Sequence, residues 1–198
     1  MPTATAQRDD VVLTCSPEKT ADTIVINYGI SNRGRAPVYV ADAMPRIDSA
    51  TKTVAADPDA VTIWRGANNH AHVLKGLAAL PTDRMVFGRV YPLMARIEPG
   101  AALDRVLTIA LPMAEHSPYF SVTNLRSYRL TDIEGITVAI DMVVARAPEP
   151  QAVTVDYAPE LFAIPPAEML ARSQRLACSF SAKGLHLMMR TDTYPRPD

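Results

Sequence analysis

Residues 23–40 read T-I-V-I-N-Y-G-I-S-N-R-G-R-A-P-V-Y-V, and the fold class turns on them. Ile24, Ile26, Tyr28 and Ile30 fall on one side of an extended chain, and Val25, Asn27, Gly29 and Ser31 on the other. That two-residue period is the signature of a half-buried β-strand. Asn32 to Pro37 follows with turn chemistry: Gly34 tolerates positive φ, and Pro37 blocks a helical continuation before Val38-Tyr39-Val40 resumes extended chain. The stretch therefore reads as a β-hairpin.

The same alternation recurs outward from it. Val11 to Cys15 reads as a first strand. Val61–Arg65 and His70–Leu74 flank Gly66-Ala67-Asn68-Asn69 as a second hairpin. Met85–Phe87, Tyr91–Ile97 and Leu103–Leu111 are extended, the last with Leu103, Leu107, Ile109 and Leu111 on one face. Ile136, Val138, Ile140, Met142 and Val144 alternate in another strand. Leu77 to Arg84 reads as a brief helical turn. Leu176–Phe180 and Leu185–Met189 flank S-A-K-G as a third hairpin, and Pro165 to Arg172 as one short helix with Pro166 in its first turn. The 17 prolines sit between apolar stretches, where they end or edge strands. Short strands separated by turn signals predict a sandwich or a barrel rather than a fold with helical crossovers, and a two-sheet antiparallel β-sandwich is the expected one. The expected division is a sandwich over 1–146, with 147–198 as an extension packed on it or continuing it.

Charge excludes two classes. Twenty Lys and Arg against 21 Asp and Glu give a net charge of -1, with no run of cations to neutralise phosphates or grip an anionic membrane. The expected partner is another protein or a second copy of the chain, with no nucleic acid and no membrane. The first ten residues have neither a basic start nor an apolar core, and no stretch approaches the roughly 20 apolar residues that span a bilayer, so the expected location is cytoplasmic. Cys15 and Cys178 each lie in phase with apolar neighbours and read as buried free thiols, with a disulfide closing the two ends of the chain as the alternative.

Candidate chemistry is sparse. His70-x-His72 projects two imidazoles from one strand face, so both are candidate metal ligands, with His116 or His186 and Glu115 as completing groups; a solvated strand face is the plainer reading. Trp64, the single tryptophan, is a core anchor or, with Tyr91, Tyr119 and Phe120, an aromatic contact patch. No nucleophile elbow, zinc-protease helix or phosphate loop is present, and no cofactor and no catalytic residue is assigned.

A strand ending in Asn32, a turn containing Pro37, the Trp64 hairpin and an E-P-G turn at 98–100 before a long strand give Thr23 to Leu111 a layout that resembles bacterial immunoglobulin-like β-sandwiches, intracellular proteinase-inhibitor-like domains among them. The resemblance transfers no functional residue. The expected fold as a whole is all-β: an immunoglobulin-like two-sheet antiparallel β-sandwich with a C-terminal β-hairpin extension and one short helix. The expected function is a non-enzymatic protein-interaction module that self-associates through a sheet edge. The alternative is a small-ligand or metal-binding sandwich using the His70 and His72 face.

Overall fold

Ile24, Ile26, Tyr28 and Ile30 are 0, 0, 3 and 1% exposed, so one flank of the decisive stretch is buried along its whole length. Burial of each large apolar side chain contributes about 1.5–3 kcal/mol. The computed structural model that shows this describes residues 2–48, 50–82, 85–119 and 128–191. In chain order the strands are β1 (Ala4–Arg8), β2 (Val11–Lys19), β3 (Thr23–Asn32), β4 (Val38–Ile47), β5 (Val54–Asp57), β6 (Thr62–Arg65) and β7 (His70–Lys75). They continue with β8 (Leu93–Ile97), β9 (Ala102–Ala110), β10 (Met113–Ala114), β11 (Tyr128–Val144), β12 (Val153–Val155) and β13 (Ala158–Ala163). Helix α1 (Pro166–Arg172) precedes the last strand, β14 (Gln174–Arg190).

Two sheets face each other. The smaller has the order β1-β2-β3-β9 and is antiparallel throughout. The larger runs β10-β14-β11-β4-β8-β13-β12, with β5 on β4 and the β6–β7 hairpin attached to β11. The core between them joins Ile24, Ile26 and Leu107 from one sheet to Ile136, Val138, Ile140 and Leu187 from the other. The larger sheet is mixed, not antiparallel as expected: β7 lies parallel to β11, and β10 parallel to β14. Met113–His116 also closes part of this sheet on itself. β10 pairs with Leu187 and Met188 of β14, and two residues on, His116 and Ile63 exchange both backbone hydrogen bonds at 2.8 and 2.9 Å. One short segment thus covers the edges of both β6 and β14.

Four expectations about local structure and connectivity are corrected. β3 and β4 are not a hairpin; β3 pairs with β2 and β9, while β4 pairs with β5, β8 and β11 in the other sheet. Asn32 to Pro37 is an arch between sheets, fixed by the buried Asn32 amide, which donates to Ala36 O at 2.9 Å and Ile97 O at 3.0 Å and accepts from Gly34 N–H at 3.0 Å. The C-terminal hairpin is instead one strand. β14 runs straight through S-A-K-G, antiparallel to β11, and the register slips there against Ile133 and Gly135. Bulges absorb turn-like residues in this way without reversing the chain. Residues 77–82 form no helical turn, and Met85–Phe87 form no strand.

Cys15 and Cys178 are not free thiols but a disulfide, with sulfurs 1.98 Å apart, joining β2 to β14 across the core. A second apolar cluster lies on the outer side of the larger sheet, where Ile164 and Met169 cover Tyr39, Ala41, Met94 and Val143. Arg172 fastens this cover by donating to the carbonyls of Pro148 and Arg146, each at 2.8 Å. The cover occupies one end of the outer face. No helix among the described residues is long and apolar enough to cross a membrane.

Candidate functional site

The other end of that outer face carries the histidines. The β6–β7 register sets Trp64 opposite His72, and their rings stack with centroids 5.0 Å apart and planes 24° from parallel. Two glycines leave room for the imidazoles. A Cβ on Gly66 would lie 2.1 Å from His72 Nε2, and one on Gly135 2.6 Å from the His70 ring. His70 Nδ1 shares a 3.2 Å hydrogen bond with Thr137 Oγ1, which in turn meets Ser179 Oγ at 2.8 Å. Partial burial, with the positive fields of His70 and Arg175 added, holds the His72 imidazole below its ordinary pKa.

Beside the Trp64–His72 stack lies a cavity of about 440 Å³. Its apolar wall is Trp64, Leu74, Leu77 and Leu80, and its polar groups come from Arg89, Arg175, Glu115 and His116. Arg175 is fixed by the buried carboxylate of Asp141, donating Nε–H to Oδ1 at 2.7 Å and Nη2–H to Oδ2 at 3.1 Å, while Leu77 N–H reaches the same carboxylate at 2.8 Å. Glu115 Oε2 accepts Arg190 N–H at 2.9 Å. His116 donates Nδ1–H to Val61 O at 2.7 Å, so Nε2 is the ring nitrogen left for other contacts. Arg89 makes no hydrogen bond or ion pair among the described residues, and it stands in the wall with its charge uncommitted.

The other candidate residues are scattered. His186 pairs with Asp132 at 2.8 Å on the β11–β14 ladder, and no group of three or more His, Cys, Asp or Glu among the described residues is gathered to hold a metal. Tyr91 packs against the second apolar cluster, and Tyr119 Oη accepts Val90 N–H at 3.3 Å; neither lines the cavity with Trp64. Phe120 lies outside the described residues.

Between the sheets sits a buried charged cluster that the sequence motifs do not announce. Lys75 Nζ donates to the backbone carbonyls of Asp42 and Pro58, and Arg105 clasps the Asp42 carboxylate. The signal for it is phase. Lys75 continues the inward run of Ala71 and Val73, and Arg105 sits in register with Leu103, Leu107 and Ile109. The β4–β8 pairing skips Asp42, and this bulge aims its side chain inward. Burial holds the Lys75 ammonium below its ordinary pKa, against the opposing pull of Asp42 and Asp59.

The smaller sheet ends in β9, whose outer edge has no ladder partner among the described residues. Its nine residues contain no proline or lysine, and Val106 at its centre is 57% exposed. An edge strand left without a partner is a template for another strand. The chain matches no protein-family model, no curated protein and no solved structure at a significant level.

Proposed function

We propose that the chain is an immunoglobulin-like sandwich that acts as a non-enzymatic interaction module and self-associates through β9. The strand order supports the first half: β2, β3 and β9 in one sheet against β14, β11, β4 and β8 in the other follow the first, second and fifth against seventh, sixth, third and intervening strands of that architecture. The unpaired β9 edge carries the second half. An antiparallel copy centred on Val106 sets Asp104 opposite Thr108 and Ala102 opposite Ala110, so no like charges meet. The buried disulfide supports an oxidising compartment as the working environment in place of the cytoplasm, because cytosolic thiols are kept reduced.

Light scattering on a size-exclusion column tests the interface. The native chain is expected at the mass of a dimer, and Val106→Lys, which sets two ammonium groups face to face across the dyad, at that of a monomer. A native chain that stays monomeric as concentration rises refutes self-association. A second reading, a small-ligand site on the His70 and His72 face, is favoured by the cavity beside Trp64.

A further inference from the structure

We infer that the cavity beside Trp64 binds a small amphipathic carboxylate, with Arg89 gripping the anion and Trp64 flanking its apolar body. The inference rests on the small-ligand reading and stands whether or not β9 pairs with a second copy. Size comes first: about 440 Å³ falls within the range of small-molecule sites, roughly 300–1,000 Å³, and is too small for a folded partner. Charge comes second. Of the two guanidinium groups in the wall, Arg175 already holds Asp141, whereas Arg89 has no counter-ion among the described residues. A planar guanidinium beside an apolar surface matches a planar carboxylate, which accepts two parallel N–H bonds. Shape comes third. Leu74, Leu77 and Leu80 offer no hydrogen-bonding side chain, so the body of the ligand is hydrocarbon or aromatic, and Trp64, braced by His72, gives it a flat wall. Glu115 on the polar side disfavours a second carboxylate, which points to a monoanion.

The single tryptophan makes the site report on itself. Titration of the native chain with 3-phenylpropanoate is expected to change Trp64 emission saturably, with calorimetry giving the same dissociation constant. 3-Phenylpropylamine, of the same body and opposite charge, is expected to leave both signals flat. Arg89→Gln removes a group that makes no hydrogen bond or ion pair among the described residues. It is expected to keep the thermal midpoint and to weaken carboxylate binding about tenfold or more. Absence of saturation up to roughly 10 mM acid overturns the proposal. So does equal binding of acid and amine, or native affinity in Arg89→Gln. The oligomeric state of Val106→Lys is read separately, so failure of this site and failure of the β9 interface are distinguishable.

Discussion

Arg105 on β9 spans the gap between the sheets to Asp42 on β4, donating Nε–H to Oδ1 at 2.9 Å and Nη2–H to Oδ2 at 2.8 Å. The carboxylate end is the buried one, with side-chain exposures of 6% for Asp42 and 37% for Arg105. Removal of the guanidinium therefore leaves a desolvated anion with the Lys75 ammonium as its remaining cationic neighbour, and that under-compensated charge rather than the lost attraction sets the cost. Arg105→Met is expected to lower stability by about 2–3 kcal/mol, seen as a drop in the denaturant midpoint at unchanged slope. Asp42→Asn added to Arg105→Met is expected to recover part of it. Full additivity of the two would show that the pair is not coupled.

Tyr28 borders the same cluster with its hydroxyl buried and without a hydrogen-bond partner among the described residues. Burial, reinforced by the Asp42 charge, pushes its phenol well above the ordinary value of 10.0. An acid raised in the folded state keeps its proton while the unfolded chain ionises, so stability falls as pH climbs past 10. Lys75 acts in the opposite sense. Its depressed pKa means the folded chain binds fewer protons, so its contribution grows as pH approaches 10.5. Comparison with Tyr28→Phe isolates the phenol: the variant is expected to match or exceed native stability by about 1 kcal/mol at pH 7, with the advantage widening above pH 10. A variant that is less stable at pH 7 would mean that the hydroxyl has a partner after all.

Gly66 has a φ of -96°, open to any residue, so its replacement is limited only by what a side chain would strike. What it would strike is His72, at 2.1 Å. Gly66→Ala is expected to drive the imidazole off Trp64, shift tryptophan emission to the red, and cost about 1–2 kcal/mol. Native emission with native stability would show that the stack accommodates the methyl group.

Alternation makes the buried flank of Ile24 to Ile30 legible from the residues alone, because a strand's face is written into every second position. Strand pairing is not legible in this way, since Asn32 to Pro37 carries the same glycine and proline whether the chain reverses within a sheet or arches to the facing one. S-A-K-G misleads for a related reason: bulge and turn draw on the same residues, and only β11 alongside reveals that β14 runs on. The Trp64–His72 stack lies within reach of the sequence, because the hairpin around Gly66 to Asn69 sets the two opposite each other once its register is written out. Arg89 and Arg175 do not. Their common cavity joins segments whose approach depends on the closure of β6 against His116.

Cys15 and Cys178 each point inward by phase, yet the bond between them depends on β2 and β14 lying across the core from one another, which no local pattern encodes. The bond spans a sequence separation of 163 residues, most of the chain. A cross-link that closes so long a loop acts chiefly by restricting the unfolded ensemble, for about 3–5 kcal/mol. The double variant Cys15→Ser, Cys178→Ser is therefore expected to lose that much unfolding free energy, with a lower denaturant midpoint and, because its unfolded chain is less compact, a steeper dependence on denaturant. Single variants are expected to lose at least as much, since each also strands a thiol beside a hydroxyl in the core. If the native chain with its cysteines reduced holds the oxidised midpoint, the bond is structurally idle, and the case for an oxidising compartment falls with it.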